Sequence, residues 1–250
     1  MVAEKQVSTE PSPGTVPGGW QARVLEKGIE RAMRTQQPLV ASHVAAIRRK
    51  RPQASPAEVI ESLGRSLKIA VSVTGGVGGA IAVVPAIGTV ASLATASAEA
   101  IAALDAAVLY TLALAEVHAL PTETPERRRA LVLSVLTGES GQAALRKFTG
   151  KSGDWAGDLT NALPLAKLGP LNITLTRWFL KRYVIRQSVL ALGRALPLGI
   201  GLVIGAVGNL VIARAVIRAA ERVFGAPPAQ WPGSAPAVTA VPEPQHAVES

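Results

Sequence analysis

The sequence of 250 residues has no cysteine, few aromatic side chains and few histidines. Without cysteine the chain has no disulfide bonds, no catalytic thiolate and no cysteine-ligated zinc. Aromatic residues make up only 4% of the chain and histidine occurs three times, which argues against a strand-rich fold and a histidine-rich metal centre. Acidic residues are scarce beside basic ones, 17 against 26, and the formal net charge of +9 implies an anionic partner.

Small aliphatic residues dominate the chain. Hydrophobic residues account for 48% of it and the mean hydropathy is +0.30. Most of these residues are Ala, Leu, Val and Ile, which suit closely packed helices. The sequence therefore predicts an all-α helical bundle formed as a single domain by residues 20–225. Residues 1–19 and 226–250 are rich in proline and lack apolar periodicity, so we expect a disordered leader and a disordered tail.

A stretch without any Lys or Arg covers residues 69–117. Glycines at 75–79 weaken a helix in its first half, and Pro85 followed by Gly88 interrupts it, because proline cannot continue the helical hydrogen bonding. The pattern predicts a long apolar helical hairpin whose second arm is one helix over about residues 89–116. Each arm has nearly the ~20 apolar residues that cross a bilayer.

Basic clusters flank both open ends of this predicted hairpin. Arg48–Arg51 precede it and Arg127–Arg129 follow it. Clusters of this kind are typical of the cytoplasmic side of membrane proteins. We therefore expect the hairpin either to insert into a membrane from its cytoplasmic face or to lie on that face.

A glycine-notched apolar helix is predicted over residues 196–213. Gly201 and Gly205 lie on one face of it, and each glycine inside a helix costs about 1 kcal/mol relative to alanine. Close approach of a second backbone compensates for this cost in small-xxx-small packing, and Asn209 would hydrogen-bond across such a contact. The predicted helix-packing residues are Pro85, Gly88, Pro197, Gly201, Gly205, Gly208 and Asn209.

Two segments combine basic and aromatic side chains beside apolar helices. Each Lys or Arg near an anionic bilayer contributes about 1 kcal/mol, and Trp and Tyr favour the headgroup level. A solvated helix face is the alternative interpretation. Nucleic acid is disfavoured because no recognised nucleic-acid module is present. The predicted lipid-contacting residues are Arg177, Trp178, Lys181, Arg182, Tyr183, Arg186, Arg214 and Arg218.

Local signals predict several helix boundaries. Ser55 and Glu58 have the spacing of a capping box, and Pro125 and Gly138 are placed to begin and end another helix. Pro38 is expected to separate two short amphipathic helices near the start of the domain.

The glycines at 75–79, with Glu99 further along, approach the pattern of a dinucleotide-binding turn. The last glycine of that pattern is missing, and Pro85 would fall inside the helix that receives the phosphates. The surrounding sequence shows no alternation of strands and helices. An enzyme that binds a nucleotide here is therefore an alternative to the favoured non-enzymatic function, and no cofactor is predicted.

Acidic residues in the apolar hairpin invite a metal hypothesis. Glu99 and Asp105 are six residues apart, and Glu116 and His118 are two apart, so neither pair has the spacing of a helical metal site. A carboxylate in an apolar helix is costly to bury unless it is paired. We predict no metal, and we expect Glu99 and Asp105 to be buried polar residues that pair with an arginine or a hydroxyl.

Three segments together resemble the EcsC-like family of bacterial proteins. They are the Val84–Gly88 break before the helix that bears Asp105, the aromatic and basic segment Trp178–Arg186, and the stretch Gly193–Gly225. The resemblance covers about residues 65–225. It implies membrane association and a helical architecture, and it supplies no catalytic residues.

The sequence thus predicts a non-catalytic bacterial protein on the cytoplasmic side of a membrane. Its expected partner is an anionic phospholipid bilayer, where it would organise lipid, a membrane-protein partner or a homo-oligomer. A soluble helical bundle that holds a lipid-like ligand in its apolar core is the second hypothesis.

Overall fold

The computed structural model describes residues 20–81, 88–149, 155–194 and 200–232, with side chains for 26–36, 38–73, 101–148, 155–181 and 210–232. Every regular element within these ranges is helical, which confirms the all-α prediction. The α-helices are α1 (Trp20–Lys50), α2 (Pro56–Ile81), α3 (Gly88–Val117), α4 (Pro125–Thr137), α5 (Glu139–Thr149), α6 (Trp155–Gly157), α7 (Leu165–Arg194) and α8 (Ile200–Phe224), and a π-helical turn over Asp158–Ala162 follows α6. The predicted leader, residues 1–19, lies outside the described residues.

One helix, α1, replaces the two short helices predicted around Pro38. That prediction was wrong because the proline ring is on the exposed side of the helix, where water can bind the carbonyl left without a donor. Met33 before the proline and Val40 after it are both buried. A continuous apolar stripe therefore packs against α3 on both sides of Pro38.

The predicted capping box of α2 and the predicted bounds of α4 are present. The backbone N–H of Ser55 donates to Glu58 Oε2 at 2.7 Å, and the N–H of Glu58 donates to Ser55 Oγ at 3.3 Å, which is the reciprocal capping box. Helix α4 begins at Pro125 and ends before Gly138, whose φ of 61° favours glycine. These helix boundaries depend on residues that are close in the sequence, which is why they could be predicted from it.

The direction of α8 against α2 follows from two contacts. A Cβ at Gly64 of α2 would lie 3.5 Å from Ile217 of α8, and Trp231, beyond the end of α8, hydrogen-bonds to Ala54 just before α2. The two helices are therefore antiparallel. Helix α2 packs against both α8 and α3, and α4 packs against α7.

Helices α1 and α3 run in the same direction. A Cβ at Gly28 would lie 3.7 Å from Leu104, and further along, Val44 and Glu116 line the same cavity. Only residues 51–55 connect α1 to α2, so α2 starts beside the ends of α1 and α3 and runs back along α3. We call the end where α2 stops, and where α3 and α8 begin, the glycine-rich end of the bundle.

Helices α2 and α3 cover the stretches predicted as the two arms of an apolar hairpin, and the residues that would join them, 82–87, are outside the described residues. Helix α3 begins and ends within one residue of the predicted 89–116. Helix α2 begins at Pro56, well before Ile69, so the apolar stretch forms only its second half. Pro85 lies outside the described residues. Among the described residues, no helix has both the length and the apolar character needed to cross a membrane.

The last two long helices also differ in extent from the predictions. Helix α7 begins at Leu165, well before the basic and aromatic segment Trp178–Arg186, and contains Pro170, which is exposed. Pro197 lies outside the described residues. Residues 226–232 begin the segment predicted to be a disordered tail, and within them Trp231 packs against the bundle. Residues 233–250 are outside the described residues.

Candidate functional site

Three of the predicted lipid-contacting residues form an exposed basic and aromatic surface on α7. Arg177, Trp178 and Lys181 all face solvent, and the Lys181 ammonium lies 5.9 Å from the Trp178 ring centroid. Trp178 is 43% exposed, so a large part of its ring is open to water. The α7 backbone continues through Arg182, Tyr183 and Arg186, whose side chains are outside the described residues.

Arg214 and Arg218, the other two predicted lipid-contacting residues with described side chains, lie on the exposed face of α8. Val211, one turn before Arg214, is 52% exposed. Helix α2 repeats this arrangement, because Arg65 is exposed and Ile69 follows it one turn later with 64% exposure. On both helices a basic residue therefore stands one turn from an exposed aliphatic side chain, on the side away from the glycine-rich end.

Exposed aliphatic residues of three helices lie at one level of the bundle. Ile69, Ile101 and Val211 lie near the middle of α2, α3 and α8, which have 26, 30 and 25 residues. The start of α2 lies beside the ends of α3 and α8. At ~1.5 Å per residue, each of the three side chains is about 20–24 Å along its helix from that common end, so all three are at a similar level. Val73, 60% exposed, lies one turn further along α2. We call Ile69, Val73, Ile101 and Val211 the apolar rim.

The α7 surface lies close to the same level. Thr176 of α7 and Glu26 of α1 both contact Arg129, and Glu26 is close in sequence to Gly28, which faces Leu104 of α3. Trp178, two residues after Thr176, is thus linked to the part of α3 near Ile101 through Arg129 and α1. The sequence pattern had identified the basic residues, whereas the rim emerges only when three distant segments are packed together.

A groove of about 700 Å³ lies between α1, α4 and α7, and the sequence analysis did not predict it. Arg129 spans its base: Nη2 lies 2.7 Å from Glu26 Oε1 and 3.3 Å from Thr176 Oγ1, and Nη1 lies 3.2 Å from Glu30 Oε1. The carboxylate partners lie far from Arg129 in the sequence. No short-range signal in the sequence could have revealed these pairs.

The groove carries further polar groups of two kinds. Arg128 is tied to the structure, because its guanidinium donates to the carbonyls of Thr122 and Glu123, and burial lowers its pKa. Asn172 is buried on α7, and its Nδ2 donates to the carbonyl of Glu126 at 3.1 Å. Its Oδ1 has no hydrogen-bond partner among the described residues.

Asp105 is half-buried on α3. Burial raises the pKa of its carboxyl group, and the nearby positive charge of Arg31 partly opposes that shift. The two groups do not form an ion pair within 4 Å, so the expected pairing with an arginine is present only as a longer-range attraction. The side chain of Glu99 lies outside the described residues.

Glu116 and His118, the second pair weighed as metal ligands, have different surroundings. Glu116 is exposed, and the His118 ring lies 5.2 Å from that of Phe224. Among the described residues, no cluster of three His, Asp or Glu side chains could hold a metal ion. The glycines at 75–79 lie within α2 and have a helical backbone, which is not the loop that a dinucleotide-binding turn requires.

The predicted helix-packing residues fall partly outside the structure as described. Pro85 and Pro197 are outside it, and Gly88, Gly201, Gly205, Gly208 and Asn209 belong to helices whose backbone alone is described there. Two glycines that the prediction did not include do make close contacts. Gly64 faces Ile217 across the α2–α8 contact, and a Cβ at Gly141 would clash with Thr137.

Comparison with known proteins gives no match to any family model, to any curated protein or to any solved structure. The resemblance to the EcsC-like family stays a prediction.

Proposed function

We propose that the chain is a non-catalytic protein that associates with an anionic phospholipid membrane through the glycine-rich end of its bundle. The rim residues would enter the boundary between headgroups and acyl chains. Arg65 and Arg214, one turn behind them, would meet the lipid phosphates. Trp178 and Lys181 would contact the same level of the bilayer from α7.

The main support for this proposal is that the rim residues lie at a similar level along the bundle. Ile69 and Val73 on α2, Ile101 on α3 and Val211 on α8 are exposed large aliphatic residues from three segments of the chain. Scattered exposed aliphatic residues are ordinary on protein surfaces, but a group at one level beside cations is typical of an interaction surface. Water-exposed aliphatic side chains gain about 1 kcal/mol or more each on transfer to an apolar medium.

The cations next to the rim favour an anionic bilayer over a neutral one. Arg65, Arg177, Lys181, Arg214 and Arg218 are all exposed. Each contributes about 1 kcal/mol near a negatively charged leaflet, and salt screens this part of the attraction. The long apolar hairpin extends the proposal, since the apolar halves of α2 and α3 would carry the insertion beyond the rim.

The proposed role is to organise lipid or a membrane-protein partner, or to assemble with further copies of the chain, at the cytoplasmic side of a bacterial membrane. The resemblance to the EcsC-like family supports this location and says nothing of chemistry. The net charge of +9 supports an anionic surface.

Flotation of the purified chain with vesicles tests the proposal. Vesicles of phosphatidylcholine alone are compared with vesicles that also contain phosphatidylglycerol, and bound protein is washed with high salt and then with alkaline carbonate. Stronger flotation with phosphatidylglycerol is expected. Retention through carbonate would identify inserted helices, and release by salt would identify peripheral attachment. If the chain floats with neither vesicle, the proposal is wrong, and co-purified lipid would then support the lipid-binding bundle.

A further inference from the structure

The groove between α1, α4 and α7 opens on the side of the bundle that bears the α7 surface. Arg177 lines the groove, and Trp178 and Lys181 follow it on the same exposed stretch of α7. The groove volume of about 700 Å³ is within the range of small-molecule sites. A molecule in the groove would therefore be close to a bilayer that the rim contacts.

Two arginines in the groove have no ion-pair partner among the described residues. Arg34 on α1 and Arg177 on α7 are exposed, and no carboxylate of the described part of the chain lies within 4 Å of either guanidinium. Arg129 differs from both, since it pairs with two carboxylates, Glu26 and Glu30. Guanidinium groups that face a cavity from two helices are suited to hold a phosphate through charge-assisted hydrogen bonds.

The beginning of α4 adds backbone donors to the same groove. Pro125 and Glu126 line it, and Thr124 makes no capping hydrogen bond to the first turn of this 13-residue helix. An uncapped helix N-terminus favours an anion through its free N–H groups and its dipole.

Asn172 joins α7 to the same end of α4. Its side chain is only 7% exposed and lines the groove, and its Nδ2 donates to the carbonyl of Glu126. Its Oδ1 is closed to solvent and has no donor among the described residues. The bond from Nδ2 therefore holds the wall of the groove beside the uncapped helix end.

Apolar side chains form the rest of the groove wall. Met33, Pro125 and Ile173 line it, and Ile173 is exposed. A free inorganic phosphate would leave these side chains without a partner. An amphiphilic phosphate would cover them, which favours a lipid over a soluble anion.

We propose that this groove binds the headgroup of a single phospholipid, with the phosphate between Arg34 and Arg177. The glycerol and the first carbons of an acyl chain would lie along Ile173. This inference rests on the proposed function, because the membrane supplies the lipid, and it adds a specific site to a surface that otherwise recognises only charge and apolar character.

The test measures lipid binding to the full chain in the absence of vesicles. Dihexanoyl phosphatidylglycerol, kept below its micelle-forming concentration, is titrated into the protein by calorimetry, and inorganic phosphate is titrated separately. The double variant Arg34→Gln with Arg177→Gln is expected to bind the short-chain lipid about tenfold or more weakly, because two charge-assisted contacts are lost. The control, Arg49→Gln with Lys50→Gln, loses the same charge at the end of α1, about four turns from Arg34, and is expected to bind as the parent does.

Ile173→Ser separates the two sources of phosphate. It is expected to weaken binding of the short-chain lipid several-fold and to leave any binding of inorganic phosphate unchanged. Equal affinity for lipid and inorganic phosphate, both lost in the double arginine variant, would overturn the lipid assignment. If neither probe binds while the chain still floats with vesicles, the groove inference is wrong and the proposed function stands. Binding of the short-chain lipid without flotation would support the groove and contradict membrane attachment.

Discussion

The guanidinium Nη2 of Arg129 lies 2.7 Å from Oε1 of Glu26, a residue 103 positions earlier in the chain. The same guanidinium contacts Glu30 and Thr176, so one side chain of α4 joins α1 and α7. Arg129 therefore links the three helices that line the groove. The side chains of Glu26 and Glu30 are 44% and 43% exposed, which limits the energy of each pair but not the number of elements they connect.

Arg129→Met is expected to lower the free energy of unfolding by about 1–2 kcal/mol, because two partly exposed carboxylates lose their shared cation and a three-helix junction loses its polar link. Urea unfolding followed by circular dichroism measures the change. Arg222→Met is the matched control: Arg222 also forms a long-range pair, with Glu139 at 3.2 Å, but Glu139 is 82% exposed. We expect less than about 0.5 kcal/mol there. Equal effects of the two substitutions would contradict the importance of the junction.

Gly141→Ala is expected to destabilise the chain although alanine is the better helix former. A Cβ at Gly141 would clash with the Thr137 hydroxyl, which is fixed by a hydrogen bond to the carbonyl of Leu133 at 2.6 Å. Overpacking of this kind costs about 1–3 kcal/mol, against a gain of about 1 kcal/mol in helix propensity.

Gly169→Ala in α7 is the comparison for Gly141→Ala, because a Cβ at Gly169 would have nothing within 4 Å apart from its chain neighbours. Pro170 follows Gly169 and disfavours helical backbone at a preceding residue that carries a Cβ, which opposes the gain in helix propensity, so we expect a change of less than about 1 kcal/mol. Thermal melts of the two variants and the parent, recorded in one series, should therefore show a larger fall for Gly141→Ala than for Gly169→Ala. A stabilised Gly141→Ala would show that the α4–α5 junction is looser than its contacts indicate.

Sequence reasoning succeeded where structure follows from neighbours in the chain. The capping box at Ser55 and Glu58 and the bounds of α3 depend on residues a few positions apart. Pro38 misled the prediction because local propensity favours a break, whereas packing of Met33 and Val40 on both sides stabilises one helix. Tertiary packing routinely overrides such local preferences.

In the candidate site, too, local features could be predicted from the sequence and long-range contacts could not. The basic residues of α7 and α8 were visible as patterns within single helices, so the sequence identified them. The rim combines α2, α3 and α8, and the groove combines α1, α4 and α7, so both depend on pairings between distant segments. One sequence carries no direct signal of such pairings. Asn172 had no local feature that marked it.

Trp231→Ala is expected to lower the free energy of unfolding by about 2 kcal/mol. The indole N–H donates to the Ala54 carbonyl at 3.0 Å, and the Arg48 guanidinium lies 4.0 Å from the ring centroid. The side chain thereby fastens the segment after α8 to the junction of α1 and α2.

Trp178→Ala is the control for Trp231→Ala. It removes a ring of the same size from a position on α7 that is 43% exposed, so we expect a smaller change in urea unfolding than for Trp231→Ala, and weaker flotation with anionic vesicles. Trp231→Ala should do the reverse, with a lower urea midpoint and unchanged flotation at a temperature where the variant is folded. If both substitutions changed only flotation, Trp231 would not have the structural role assigned to it.

Asp105→Asn is expected to stabilise the chain near neutral pH. Burial raises the pKa of Asp105 in the folded state, so the folded chain holds this proton more tightly than the unfolded chain does. The charged carboxylate therefore lowers stability above its folded-state pKa, and the penalty disappears as the pH falls through that value. Unfolding curves of parent and variant should differ at about pH 7 and converge below the ordinary carboxyl pKa of about 4.

Glu58→Gln is expected to change stability near neutral pH in the opposite direction to Asp105→Asn. Hydrogen bonds from Ser55 lower the pKa of Glu58, so its charged form stabilises the fold above the ordinary carboxyl pKa, and that contribution is lost as the pH falls through the lowered value. The variant should be less stable than the parent at about pH 7 and should approach it in acid. The same direction of change in both variants would contradict the assigned environment of one of them.

Substitution of the apolar rim is expected to reduce membrane binding without loss of fold. Ile69→Ser combined with Val211→Ser removes two exposed aliphatic groups from adjacent helices, and each such group contributes about 1 kcal/mol or more when it leaves water. Flotation with vesicles that contain phosphatidylglycerol should fall by about tenfold or more. High salt should weaken flotation of the parent, but it should leave the ratio of parent to rim variant nearly unchanged, since screening acts on the arginines and not on the aliphatic contacts.

Leu39→Ser is the control for the rim variant, because Leu39 on α1 is 51% exposed but lies at another level of the bundle. It stands about 17 Å along its helix from Gly28, which lies near the level of the rim. A bundle that meets the bilayer through its glycine-rich end keeps Leu39 in water, so this substitution should leave flotation unchanged. If Leu39→Ser reduced flotation as much as the double rim variant does, attachment would be independent of the rim and the proposed orientation of the bundle on the membrane would be wrong.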